Sequence, residues 1–106
     1  IDGTICTHDN RTAPYDEARP IKARIEFFNK LYEAGHTIIY WTARGSYSGV
    51  DYSELTRKQL DEWGVKRTDL RLGKPSYDYW IDDRAHNVDD FFMVDTETGE
   101  TETITL

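Results

Sequence analysis

The chain is poor in cysteine, in long apolar runs and in positive charge. Cys6 is its single cysteine, which excludes an internal disulfide and a cysteine-built zinc site and leaves a buried or incidental thiol as the ordinary reading. No stretch approaches the roughly 18 consecutive apolar residues of a membrane-spanning helix, and no basic stretch followed by an apolar one stands at the start. No membrane partner is expected, and the expected address is the cytoplasm. Lys and Arg number 13 against 20 Asp and Glu, a formal charge of -7. That balance disfavours a broad polyphosphate-binding face, and nucleic acid as a partner with it. An anionic substrate would need local help from a metal ion, a helix N-terminus or a few placed basic residues. Internal repeats, low-complexity segments and long linkers are also missing. At 106 residues the expectation is a single domain spanning 1–106.

What is present is core material. Hydrophobic residues make up 38%, including 3 Trp, 7 Tyr and 4 Phe, more than a disordered chain carries. Residues 20–34, "PIKARIEFFNKLYEA", place Ile21, Ile25, Phe28 and Tyr32 on one stripe with Leu31 beside it, which predicts an amphipathic helix. Pro20 suits its first turn and Gly35 the position past its end. "HTIIYW" then reads as a strand buried on both faces of a parallel sheet. In "DYSELTRKQLDEWG", Asp51 and Glu54 make a capping-box-like start to a second helix whose buried side is Tyr52, Leu55, Thr56, Leu60 and Trp63. "DLRL" and "YDYWID" are short strand candidates separated by "GKPS", and "FFMVDTETGETETITL" reads as a C-terminal hairpin or a pair of edge strands. Strands alternating with helices predict an α/β fold, a Rossmann-like parallel sheet with helices on both faces.

Sites in such sheets lie beyond the carboxyl ends of the strands. Asp2, Gly3 and Thr4 would follow a strand entering at Ile1; Thr42, Ala43, Arg44 and Gly45 follow "TIIYW"; Lys74 lies in the loop after "DLRL"; Asp82 and Asp83 follow "YDYWI". Singly, each has a plain explanation as a turn, cap or solvated loop residue. Jointly, each at the end of a different predicted strand, they gather acids, hydroxyls, one lysine and one arginine on one rim. His8, His36 and His86 fall outside this set and read as surface or loop residues, whereas Trp41 and Trp80, inside predicted strands, read as core.

In this order "IDGT", "TIIYWTARG" and "GKPSYDYWIDD" resemble the four motifs of the haloacid dehalogenase-like phosphohydrolase superfamily, and the resemblance covers residues 1 to about 92. Within it, the "YWTARG" and "RLGKPSYDYWIDD" segments are most similar to small capsule-biosynthesis phosphatases, and "IDDR" also resembles the polynucleotide 3'-phosphatases. The resemblance implies a phosphomonoester hydrolase working through an aspartyl-phosphate. Its nucleophile would be an acid two positions before Asp2, immediately ahead of Ile1. The expectation is a further apolar strand of roughly half a dozen residues ending in that aspartate. Asp2 would then be the general acid and base, protonated at the first step, with Gly3 turning the backbone under the phosphate. Thr42 would bond a phosphate oxygen, with Ala43 beside it, and Lys74 would neutralise phosphoryl charge. Arg44 would either anchor substrate or pair with a nearby acid. Magnesium, Mg2+, would be held by the nucleophile, the main-chain carbonyl of Asp2, and Asp82 or Asp83, with Asp82 favoured as direct ligand.

The segments between these motifs leave no room for a cap domain. The loops at His8 to Tyr15 and Ser46 to Tyr52, with help from a neighbouring subunit in a homo-oligomer, would then shape the pocket. A small phosphorylated metabolite, such as a sugar phosphate, is the expected substrate. The alternatives are a polynucleotide 3'-phosphatase and, were the nucleophile truly absent, an inactive phosphate- or partner-binding module.

Overall fold

A computed structural model describes residues 1–7, 14–94 and 101–103 of the chain. They fall into two compact units, Ile1–Ser76 and Tyr77–Leu106.

The first unit is small and α/β. Its elements are a turn of 3-10 helix at Tyr15–Glu17, helix α1 (Lys22–Glu33), strand β1 (Ile39–Trp41), helix α2 (Ser53–Glu62) and strand β2 (Asp69–Arg71). The strands run parallel, with Ile39 opposite Asp69, Tyr40 opposite Leu70 and Trp41 opposite Arg71. A parallel pair needs a long crossover, and α2 supplies it. Both predicted helices form, and each ends at a glycine of positive φ, Gly35 (+97°) and Gly64 (+68°). The capping box expected from Asp51 and Glu54 is not what forms: the N-cap of α2 is Tyr52, which makes no side-chain bond. Asp51, just before it, accepts from the Ser53 N–H through Oδ1 at 2.9 Å, satisfying a donor that the first helical turn leaves open.

The core of this unit is Ile5, Ile25, Tyr40, Leu60 and Val65, with Ile1, Phe28, Ile38, Trp63 and Leu70 packed against it. Asn29 joins α1 to the end of α2, donating to Gly64 O and accepting from the Lys66 N–H, both at 2.8 Å. Beside it Lys66 forms an ion pair with Glu33. Along β1 the burial departs from expectation. Only Tyr40 is buried, while Ile39 and Trp41 are 42% and 41% exposed. Alternation along a strand sends neighbours to opposite faces, and only the Tyr40 face of β1 meets this core.

The second unit contains a short helix α3 (Val88–Phe91) and the antiparallel strands β3 (Phe92–Val94) and β4 (Thr101–Thr103), the expected C-terminal hairpin pairing. Asn87 caps α3 by accepting from the Asp89 N–H at 2.9 Å. The strand expected at 77–82 is not formed, and Trp80 is 45% exposed rather than core. Strand formation needs a ladder partner as well as the right side chains; among the described residues β3 and β4 pair only with each other. No helix among the described residues is long and apolar enough to cross a membrane.

Candidate active site

The first six residues fold into a tight turn. The N–H groups of Thr4 and Ile5 both donate to Ile1 O at 3.0 Å, and Gly3, at φ +74°, donates to Cys6 O at 2.9 Å. Arg24 in the first turn of α1 reaches back to Gly3 O and Thr4 O at 3.3 and 3.2 Å. Asp2 is thereby held at the edge of the core, with its side chain 16% exposed.

Beyond the carboxyl end of β1 the chain turns sharply. Thr42 Oγ1 accepts from the Arg44 N–H at 3.1 Å, Ser46 N–H bonds Ala43 O at 2.9 Å, and Gly49 N–H bonds Gly45 O at 2.8 Å. Gly45 has φ +83°, and a Cβ there would lie 2.0 Å from Val50 O, so only glycine closes this turn. The turn carries Thr42 and Arg44 inward, 5% and 3% exposed. The loop after β2 lies alongside: the Lys74 N–H donates to Thr42 O at 3.0 Å, Ser46 Oγ donates to Lys74 O at 2.7 Å, and the Trp41 indole N–H donates to Leu72 O at 3.3 Å.

Asp2 and Arg44, 42 residues apart, meet in a two-pronged ion pair, Nε to Oδ2 at 3.0 Å and Nη2 to Oδ1 at 2.8 Å. Arg44 Nη1 donates to Thr56 Oγ1 at 3.2 Å and Gln59 Oε1 at 2.6 Å, and Nη2 also approaches Cys6 Sγ at 4.0 Å. The Tyr15 ring covers the guanidinium with its centroid 4.7 Å away, a cation–π contact. A guanidinium has five N–H donors, and here each has an acceptor inside the protein. Pairing with a nearby acid is thus the role Arg44 fills in this arrangement, and no donor remains for a substrate oxyanion.

Burial alone would favour a neutral Asp2. The Arg44 hydrogen bonds and charge outweigh it and hold the carboxyl below its ordinary value of 3.8. At rest Asp2 is therefore an anion, opposite in direction to the protonated acid that the resemblance implies for the first step. Cys6 donates weakly to the same carboxylate at 3.5 Å, and burial with the charge of Asp2 pushes its thiol up to about 11, which leaves it unreactive at neutral pH.

Asp2, Gly3, Thr42, Ala43, Arg44 and Lys74 all belong to the first unit; Asp82 and Asp83 belong to the second, where both are exposed. Asp82 Oδ1 accepts from the Arg84 N–H at 2.9 Å. That bond, helped by Asp83 and Trp80, keeps Asp82 below the usual carboxylate range. His36 and His86 are exposed, and His8 lies outside the described residues.

No known family model matches the chain, and no curated protein matches it. A crystal structure of an MCSG target from Vibrio cholerae is similar, with a TM-score of 0.73 and 26% identity over 92% of this chain and 86% of that one. The likeness is one of fold, and no activity comes with it.

Sequence reasoning named Tyr15 only as the end of a loop shaping the pocket, and missed Thr56 and Gln59 as parts of this site. A signal existed for Gln59, a polar residue on the i, i+3, i+4, i+7 row of Thr56, Leu60 and Trp63.

Proposed function

We propose that the chain is a magnesium-dependent phosphomonoester hydrolase of the haloacid dehalogenase-like type, with a Rossmann-like core and a small phosphorylated metabolite as substrate. One observation carries this reading. Asp2 and the Thr42–Arg44 turn are joined through the Asp2–Arg44 pair, and that turn is joined to Lys74 through the main chain, beyond the carboxyl ends of two parallel strands. Acid, hydroxyl and ammonium are the groups phosphoryl transfer needs.

In the reaction an aspartate directly before Ile1 attacks phosphorus. The new P–O bond forms as the ester P–O bond breaks, and the leaving alkoxide takes a proton from Asp2. Water then attacks phosphorus and gives a proton to Asp2; its P–O bond forms as the P–O bond to the aspartate breaks, which releases inorganic phosphate and returns that aspartate as a carboxylate. Thr42 and Lys74 hold the phosphoryl oxygens, and Lys74 offsets their charge. Arg44 keeps the Asp2 carboxylate in one orientation. A phosphoryl dianion arriving beside Asp2 opposes Arg44 and favours the protonated form that the first step needs.

Asp82, Asp83 and the Asp2 carbonyl are all hard oxygen donors, the class that magnesium takes. Among the described residues no three His, Cys, Asp or Glu side chains gather into a metal cluster, so the donor chemistry alone supports the ion. When bound, it supplies positive charge to the phosphoryl oxygens.

The test compares two chains, carrying Asp or Asn directly before Ile1, for inorganic phosphate released from hexose phosphates and from a 3'-phosphorylated oligonucleotide with Mg2+. The Asp chain should turn over the sugar phosphates, and the Asn chain should be slower by about 10³-fold or more. Turnover of the oligonucleotide alone would move the substrate to polynucleotide ends. No phosphate from any substrate with the Asp chain overturns the reading and leaves a binding module.

A further inference from the structure

Gln59 is a polar side chain in an apolar place. It is 6% exposed, on the face of α2 where Thr56 and Leu60 are 0% exposed. A leucine would fill that volume without needing hydrogen bonds. Instead the amide is used at both ends: Oε1 accepts from Arg44 Nη1 at 2.6 Å, and Nε2 donates to Tyr15 O at 2.7 Å. One side chain thus ties together the Tyr15 segment, the turn after β1 and helix α2. Its Arg44 bond falls on the arm of the guanidinium opposite Asp2. A two-pronged pair requires the guanidinium and carboxylate to lie edge to edge in nearly one plane, so whatever fixes Nη1 also fixes the orientation of Asp2.

From this geometry we infer that Gln59 is a positioning residue, which sets the plane of Arg44 and through it the Asp2 carboxylate, while pinning Tyr15 over the same guanidinium. The inference rests on the phosphatase reading for its catalytic consequence, but not for the hold on Arg44. Thr56, the other acceptor of Nη1, is an adjunct at 3.2 Å. The Tyr15 ring, itself edge-on to Tyr52 at 4.9 Å, covers one face of the guanidinium.

The experiment uses the chain with Asp before Ile1 and its Gln59→Leu and Gln59→Glu variants. Hydrogen exchange at the Arg44 Nε–H is read by ¹⁵N NMR and normalised to the backbone amides of α2, so that general loosening of the helix cancels. In Q59L the Arg44 Nε–H should exchange at least about 10-fold faster, the scale of one lost bond to a charged group. Its kcat should fall about 10- to 100-fold with KM nearly unchanged, the signature of a misplaced reacting group. Q59E keeps an acceptor for Nη1 and should restore Nε–H protection to within about 3-fold of the parent. Should Q59L not fold, Q59M takes its place. Unchanged Nε–H exchange in the apolar variant, or no restoration in Q59E, makes Gln59 a packing residue and overturns the inference. If the parent turns over no phosphate ester, the phosphatase reading fails while the exchange measurement still decides whether Gln59 holds Arg44.

Discussion

Replacing Arg44 with methionine keeps a long side chain of similar reach and removes the charge. The loss is calculable in outline because the pair is enclosed, with side chains 1% and 16% exposed for Arg44 and Asp2. R44M leaves the Asp2 carboxylate without its partner and strips donors from Thr56 Oγ1 and Gln59 Oε1. Breaking a buried pair from one side costs about 3–5 kcal/mol, against a total stability of about 5–15 kcal/mol for a domain. The variant should therefore be only marginally folded. Urea unfolding followed by tryptophan fluorescence measures this. With a denaturant slope near 1.5 kcal/mol/M, the midpoint should drop by about 2–3 M. Adding Asp2→Asn to R44M removes the stranded anion and should recover about 1–3 kcal/mol.

The pH dependence has a definite sign. Asp2 ionises below its ordinary value of 3.8 in the folded chain, so the stability it contributes is complete above that value and is lost as pH falls through the lower, folded one. In R44M burial acts on the Asp2 carboxyl without the Arg44 charge and raises its folded value above the ordinary one. The advantage of the parent over R44M should accordingly be complete above that raised value and shrink as pH falls from it towards the lowered value of the parent. A cost under about 1 kcal/mol for R44M, or a double variant no more stable than R44M, would refute the reasoning that a mutually dependent buried pair anchors this site.

Three further outcomes are expected. Gly45→Ala places a methyl 2.0 Å from Val50 O on a backbone of φ +83°, and should destabilise by more than the roughly 1–3 kcal/mol of such strain alone, read as a fall in Tm; an unchanged Tm would mean that the turn is not closed this way. Tyr40→Phe removes a buried hydroxyl that has no hydrogen-bond partner among the described residues, and whose ionisation burial pushes up to about 12. It should leave stability unchanged or raise it by about 1 kcal/mol, and a loss in a urea titration would reveal a partner for that hydroxyl. Asp51→Ala removes the bond to the Ser53 N–H and should cost about 1 kcal/mol, visible as a lower urea midpoint.

The helices were legible because their apolar residues repeat at helical spacing and their ends carry glycines, all of it local information. The strands were half legible. Composition marked 39–41 as extended, but burial on both faces depends on what lies across each face, and Ile39 and Trp41 look outward from the core. The segment 77–82 has strand-like side chains and no strand, because a ladder partner is not a property of the segment. In the candidate site, the residue types and their order were visible, yet pairing with a nearby acid was only one of two readings of Arg44, and nothing singled out Asp2 as that acid. Forty-two residues separate them, and sequence supplies the chemistry of each without the distance between them. Gln59 was passed over for a related reason: a glutamine on a buried row is informative only once its partners, Arg44 and Tyr15, are known.

Trp41 offers a practical handle on all of this. Its ring is 41% exposed, it directly precedes Thr42, and its indole N–H is anchored to Leu72, two residues ahead of Lys74. The protein thus contains its own optical gauge spanning the two loops that would grip a phosphate. With Trp63 and Trp80 changed to Phe, emission from the remaining indole would report any shift of one loop against the other as anions are added, before any turnover assay is run.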